Sequence, residues 1–292
     1  MDDKDFLAER FEEHRVHLRA VSYRMLGSLS DADDAVQEAW LRLRRSDTGD
    51  VENLGGWLTT VVARVCLNML RSRQTRREEP FGGHIPDPIV ERDDEDPEHA
   101  ALLADSVGLA LLIVLETLSP AERLAFVLHD MFAVPFDEIA AMVERTPQAT
   151  RQLASRARRR VRTGAPTPGP DRARQREVVD AFHAAARDGE LDRLVALLHP
   201  EVVLRVDFGP RAPIPYREIH GAQTVADRAA MYGRSPGETR AALVNGAIGH
   251  VTFRDGKPFS ILAYTVVNAK IIAIEILADP ARLAHLDLAA VD

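Results

Sequence analysis

Arginine is the residue whose spacing in this chain suggests chemistry first. Arg64, Arg71, Arg73, Arg76 and Arg77 fall within fourteen positions, and Arg145, Arg151, Arg156, Arg158, Arg159, Arg160 and Arg162 within eighteen, with no acid in either stretch. Clustered guanidinium groups hold phosphate oxygens, and a well-placed arginine or glutamine also pairs bidentately with guanine or adenine. Gln148, Arg151 and Gln152 therefore read as base-edge contacts, with Arg158, Arg159 and Arg160 toward the backbone phosphates. Asp31, Asp33, Asp34, Gln37 and Glu38 form an acidic run at helical spacing, which a solvated helix face would also explain. Farther on, Asp207, His183, Tyr216 and His220 are the groups that acid/base chemistry would need, but no spacing among them dictates that they converge.

The 292 residues carry 45 acidic and 37 basic side chains, so the net charge is 37 − 45 = −8. That average argues against a nucleic-acid partner, and segregation reverses it: the positive charge is gathered in two clusters within an otherwise acidic first half. Cys66 is the single cysteine, which excludes an internal disulfide and any multi-cysteine metal site. It lies among Val61, Val62, Val65 and Leu67 and reads as a small core residue. No metal or cofactor is expected. The acidic N-terminus lacks a leader-like apolar stretch and no window reaches the length of a membrane span, so no membrane contact is expected and the chain is read as cytoplasmic.

Two breaks in composition divide the chain. Residues 78–98 combine four prolines, two glycines and a run of acids, a composition expected neither to hold a regular helix nor to bury much surface. Residues 163–171 carry three prolines and two glycines and read as an interdomain linker. The expected domains are 1–78, 99–163 and 171–292, joined by linkers at 79–98 and 164–170. The first is all helical. One helix has Ala35, Val36, Ala39, Trp40 and Leu43 on one face, with Ser30 or Asp31 as its cap. Another has Leu58, Val61, Val62, Val65 and Met69 inward, with Thr60, Arg64, Asn68 and Arg71 opposite. The second domain opens with an apolar helix from about 101 to 118. Ser119-Pro120 then starts a new helix, and two more, 136–144 and 147–162, form a helix-turn-helix with Thr146-Pro147 at the start of the second. Its inward stripe is expected to be Ala149, Leu153, Ala157 and Val161. The third domain places helices at about 172–187 and 191–198 before β-like runs at 202–208, 242–253, 259–267 and 270–277, an α+β pattern. Asp255-Gly256 and Asn268-Ala269 supply turns.

Taken together, the stretches Tyr23 to Leu43, Gly56 to Glu79 and Leu118 to Val161 resemble the extracytoplasmic-function group of sigma-70 family factors. The resemblance covers most of residues 1–163, as sigma domain two followed by sigma domain four. The last domain resembles a SnoaL-like fold, an α+β cone with a curved mixed sheet, as found fused in one subgroup of these factors. By position, the resemblance implies that Asp31, Asp33, Asp34, Gln37 and Glu38 grip the β′ coiled coil of core RNA polymerase. It implies that the segment from Trp57 to Arg77, through Thr60, Arg64, Asn68, Arg71, Arg73, Arg76 and Arg77, melts and reads the minus-ten promoter element. It places the minus-thirty-five element on Gln148, Arg151, Gln152, Ser155, Arg156, Arg158 and Arg159. Partners implied are core polymerase, through β′ and β, and promoter DNA, with the last domain as regulator and any anti-sigma partner unspecified. The subgroup's linker motif, roughly W-L-P-E-P, stands here as His84, Ile85, Pro86, Asp87 and Pro88. Its N-P-D-K-L motif stands as Asp279, Pro280, Ala281, Arg282 and Leu283. Two rivals remain open: a stand-alone helix-turn-helix regulator, which would bind duplex DNA without polymerase, and a SnoaL-like isomerase or cyclase fused to a DNA-binding module, which requires a polar pair facing a sealed pocket.

Overall fold

The computed structural model describes residues 3–46, 53–76, 83–92, 108–164 and 171–291. The chain forms two compact units. The first contains α1 (Asp3–Leu26), α2 (Leu29–Leu43) and α3 (Leu54–Arg76), together with the chain from Val114 to Gly164; positions 109–113 group with the second. Gly27, at φ 69°, ends α1 in the left-handed conformation that favours glycine. Ser28 then caps α2, its hydroxyl accepting from the Asp31 N–H at 3.3 Å. The cap therefore lies two to three residues before the Ser30 or Asp31 expected, because the tight turn at Gly27 lets α2 begin at once. Ala32, Ala35, Val36, Ala39 and Leu43 of α2 meet Leu58, Val62, Val65 and Cys66 of α3 and Phe11, Leu18 and Met25 of α1 as the buried core. Burial pushes the Cys66 thiol up to about 12, as expected of a small apolar core residue rather than a nucleophile.

Next come α4 (Leu109–Glu116), α5 (Pro120–Phe126), a π-helical turn (Val127–Met131), α6 (Phe136–Val143) and α7 (Pro147–Gly164). Gly108 lies outside α4, so the apolar helix is shorter than expected, and positions 101–107 lie outside the described residues. Ser119 and Glu122 form a reciprocal capping box at α5. On α7 the buried line is Thr150, Ala154 and Ala157 rather than the stripe through Ala149. A buried Thr150 is tolerated because its hydroxyl donates to the Thr146 carbonyl at 3.1 Å. Of these, α5, the π-helical turn and α6 pack on the first three helices. Arg123 is 3% exposed; it donates to Glu116 Oε1 at 3.1 and 3.2 Å and to the Arg24 carbonyl at 3.3 Å. The Arg24 guanidinium in turn lies 4.7 Å over the ring of Phe132.

The second unit is α+β. Helices α8 (Arg172–Asp188), α9 (Leu191–Leu197) and α10 (Ala222–Gly233) pack on one face of a seven-stranded sheet ordered β1-β4-β5-β6-β7-β2-β3. The strands are β1 (Val90–Glu91), β2 (Leu198–Asp207), β3 (Tyr216–His220), β4 (Glu238–Val244), β5 (Ala247–Arg254), β6 (Lys257–Val267) and β7 (Lys270–Leu277). Among the described residues only β2–β7 pair in parallel, so the sheet is mixed. Val179, Phe182, Leu204, Val206, Tyr264, Val266 and Ile274 belong to its helix-facing core. The run 242–253, expected as one strand, is a hairpin: Asn245 and Gly246 take φ of 50° and 73°, the left-handed pair of a two-residue turn.

Residues 83–92 correct the expectation that the proline-rich segment buries little. Ile85 is fully buried, Asp87 is 9% exposed, and Val90 and Glu91 add an edge strand to β4. The physical reason is a polar node supplied from far along the chain. Arg282, in the short helix α11 (Pro280–Leu283), donates to Asp87 Oδ1 at 2.8 Å, to the Ile85 carbonyl at 2.6 Å and to Asp207 Oδ2 at 2.9 Å. Asp207 also accepts from the Ile85 N–H at 3.1 Å and lies 3.3 Å from His84 Nδ1. Burial alone would raise the Asp207 carboxyl, but the bonds from His84 and Ile85 and the Arg282 charge hold it below its ordinary value. The segments standing in place of the two subgroup motifs thus meet each other.

Candidate nucleic-acid interface

The outward side of α7 is built by its cap and its stripe of small residues. The Ala149 N–H donates to Thr146 Oγ1 at 3.2 Å, fixing the first turn. With Thr150, Ala154 and Ala157 inward, Gln148, Arg151, Gln152, Ser155, Arg156 and Arg159 are all exposed on the opposite side. Six side chains that donate hydrogen bonds therefore share one surface, with no acid between them. Arg158 departs from the group: half-buried, it bonds Asp130 Oδ1 at 2.6 Å. Arg160 is exposed but donates to the Thr117 carbonyl at 3.1 Å and lies 3.6 Å from Glu122. Both tie α7 to the turn and helix before it. Asp130 gave no local signal for this, since it lies twenty-eight residues from Arg158.

On α3, Arg64, Asn68 and Arg71 recur at i, i+4 and i+7 and are exposed. They line a cleft of about 210 Å³ together with Arg42, Leu67, Ala141, Met142 and Glu144, so in this arrangement the end of α6 borders that face. Thr60 is half-buried and its hydroxyl donates to the Gly56 carbonyl at 3.1 Å. Arg73 is half-buried, ion-paired with Asp31 and donating to the Leu26 carbonyl at 3.3 Å. Arg76 is the last residue of α3, and Arg77 lies outside the described residues. Trp57 is half-buried at the head of the helix.

The acidic run on α2 is divided in the same way. Asp31 faces Arg73, Asp33 bonds Arg19 at 2.7 Å, and Glu38 bonds Arg42 at 2.9 Å. Asp34 and Gln37 are exposed. The Glu38–Arg42 pair was readable from its i, i+4 spacing, whereas Arg19 reaches Asp33 from the neighbouring helix.

The acid/base candidates of the second unit fall into three groups. His183 Nε2 lies 2.7 Å from Tyr264 Oη, and its ring is 4.0 Å from that of His250. Tyr216 Oη and His220 Nε2 both reach Glu218, at 3.3 and 2.9 Å. Asp207 is held in the Arg282 node. Arg205 bridges Glu218 and Glu275, each at 3.2 Å. Desolvation raises Glu275 to about 7 despite that partner. His250, Tyr264 and Glu275 were missed because each looks like an ordinary strand position, and pairing across the fold makes them a polar interior. Among the described residues no group of three or more His, Cys, Asp or Glu could hold a metal ion, and no helix is long and apolar enough to cross a membrane.

Comparison with known proteins gives these surfaces a context. The model of sigma-70 region 2 matches residues 10–76, and that of sigma-70 region 4 matches 109–161. The chain is 42% identical to the ECF RNA polymerase sigma factor SigJ of Mycobacterium tuberculosis, over 92% of this chain and 91% of that protein. It is 34% identical to the probable ECF RNA polymerase sigma factor SigI of the same species, over 97% of each. A closer likeness to SigI, the expectation from sequence, is corrected by identity, which is higher to SigJ. The crystal structure of M. tuberculosis SigJ superposes with a TM-score of 0.75 at 36% identity, covering 96% of this chain and 99% of that one, so the likeness extends through the α+β unit. With both sigma-70 regions in order and full-length relatives of this type, the chain belongs to the extracytoplasmic-function family of RNA polymerase sigma factors.

Proposed function

We propose that this sigma factor engages core polymerase through α2, contacts the minus-ten element with Arg64, Asn68 and Arg71 of α3, and reads the minus-thirty-five element with Gln148, Arg151 and Gln152 of α7. One observation carries the proposal: the six polar side chains of α7 stand exposed on a single side, as a recognition helix in the major groove requires. Arg156 and Arg159 continue that side toward the phosphates. On α2 the exposed Asp34 and Gln37 are the contacts offered to a basic β′ surface, with Asp31, Asp33 and Glu38 as flanking charge. Thr60, Arg73, Arg76 and Arg77 extend the minus-ten segment, Arg73 acting chiefly as a tie to Asp31. β′ and β are the polymerase subunits expected to contact the chain, which would act in the cytoplasm where promoter DNA is.

The cleft between α3 and α6 bears on mechanism. The two promoter elements are 25 base pairs apart by their names, roughly 85 Å along B-form DNA. Helices α3 and α6 share one cleft here, so engaging both elements requires the two regions to part. Residues 83–92, held by Arg282, lie in the chain between those regions, and this gives the α+β unit its regulatory role: it sets how much of the tether is free. No catalytic role is assigned to that unit. Asp207 and Arg282 are committed to the tether, and His183 and Tyr264 to each other.

Asp34→Arg tests the polymerase surface, because Asp34 is exposed and the change adds no buried charge. Its affinity for purified core polymerase is expected to fall at least about tenfold, measured by fluorescence anisotropy. Unchanged affinity would remove α2 from the interface.

A further inference from the structure

The π-helical turn Val127–Met131 precedes the helix-turn-helix and touches its recognition helix at two points. Asp130 binds Arg158 directly, as described above. His129 reaches Arg151 through Phe136. The imidazole stacks on the Phe136 ring with centroids 3.8 Å apart at 27°, and the Arg151 guanidinium carbon lies 5.6 Å from the same ring's centroid. An imidazole at that separation covers one face of the phenyl ring and backs the ring that Arg151 approaches. The imidazole itself is fixed. Its Nδ1 lies 3.0 Å from the Val134 carbonyl, and a carbonyl only accepts, so Nδ1 carries the proton. The turn beneath it is held twice more, by Ala133 N–H to the His129 carbonyl at 3.1 Å and Val134 N–H to the Leu128 carbonyl at 2.9 Å. Ala133 sits at φ 55°, a left-handed conformation that a residue with a Cβ adopts only where its surroundings impose it. π-turns are rare and concentrate at functional sites.

We infer that His129 is a positioning residue for promoter selectivity: stacked behind Phe136, it holds the face against which Arg151 is ordered before DNA arrives. Arg151 extends from an exposed helix position and would otherwise sample many rotamers, and ordering it in advance lowers the cost of pairing it with one base edge. The cation–π contact supplies the orientation, and the rigid turn supplies the platform. His129 touches no DNA in this account and acts through Arg151, so the inference rests on the base-reading assignment of Arg151.

The test uses the full chain, core polymerase and a duplex promoter library randomised over the minus-thirty-five element, with run-off transcripts sequenced to give the base preference at each position. Arg151→Ala is expected to flatten preference at one position. His129→Ala is expected to weaken preference at that same position by about two- to fivefold, the worth of an exposed cation–π contact, and to leave the other positions as they were. In an Arg151→Ala background, His129→Ala should change nothing further. His129→Phe keeps a flat ring behind Phe136 and should restore preference. His129→Gln keeps a donor for Val134 without the ring, so it holds the turn folded and should behave as His129→Ala. If Arg151→Ala leaves every position unchanged, the base-reading assignment falls, and the inference with it. If Arg151→Ala flattens one position and His129→Ala or His129→Gln does not touch it, or changes all positions alike, the positioning role alone is overturned.

Discussion

His183 and His250 lie with ring centroids 4.0 Å apart, tilted by 49°, inside the second unit, and burial holds both imidazoles below their ordinary range, at about 4 and about 3. A histidine that stays neutral when folded but titrates near 6.5 when unfolded contributes stability in full above pH 6.5 and loses it as pH falls toward 4. For His183 alone the loss is on the order of 3 kcal/mol. Glu275 has the opposite sign. Its carboxyl is raised from 4.5 to about 7, so its contribution is complete below 4.5 and is lost as pH rises through 7. The two trends cross in one window, and single variants separate them. Urea unfolding of Glu275→Gln should show a gain over the parent at about pH 8 that vanishes near pH 5, while His250→Phe should gain over the parent only toward acid. Parallel curves for parent and variants at all pH values would contradict both assignments. His183 stood out in the sequence, but His250 and Glu275 did not, because a strand residue reveals its burial only when the partner strands and helices are in place.

At the scale of elements, the recognition helix depends on its first turn. Thr146→Ala removes the acceptor for the Ala149 N–H and should cost about 1 kcal/mol locally. Amide exchange in the first turn of α7 is expected to speed up about fivefold, with Thr146→Ser close to the parent. Unchanged exchange in Thr146→Ala would show that packing, not the cap, fixes that turn. This part of the fold was legible because its signals are local: Ser119-Pro120 and Thr146-Pro147 are each a capping hydroxyl before a proline at the first helical position. Asn245-Gly246 carried an equally local signal, but apolar residues on both sides disguised the hairpin as one long strand. The buried tether was not legible at all. Ile85 and Asp87 look like solvated linker until Asp207 and Arg282, some 120 to 200 residues away, supply their partners. Composition describes what a segment can bury unaided, and here the burial is made by the rest of the fold.

For the whole molecule, the net charge of −8 conceals two opposed surfaces. Arginines on α3 and α7 suit promoter phosphates and base edges, and the acidic side of α2 suits a basic polymerase surface. The same charges also serve the fold: Arg73, Arg158 and Arg160 are engaged within the protein, which leaves Arg64, Asn68 and Arg71 on one helix and Gln148, Arg151, Gln152, Ser155, Arg156 and Arg159 on the other as the exposed residues proposed to face DNA. The direct test of this division is run-off transcription with purified core polymerase and a duplex library randomised over both promoter windows. The account predicts transcripts that depend on this chain and carry two preferred sequence blocks. Arg151→Ala should flatten preference at one position of the upstream block and leave the downstream one intact, and Asn68→Ala should weaken only the downstream one. Transcripts no more abundant than with core polymerase alone, or variants that disturb both blocks alike, would contradict it.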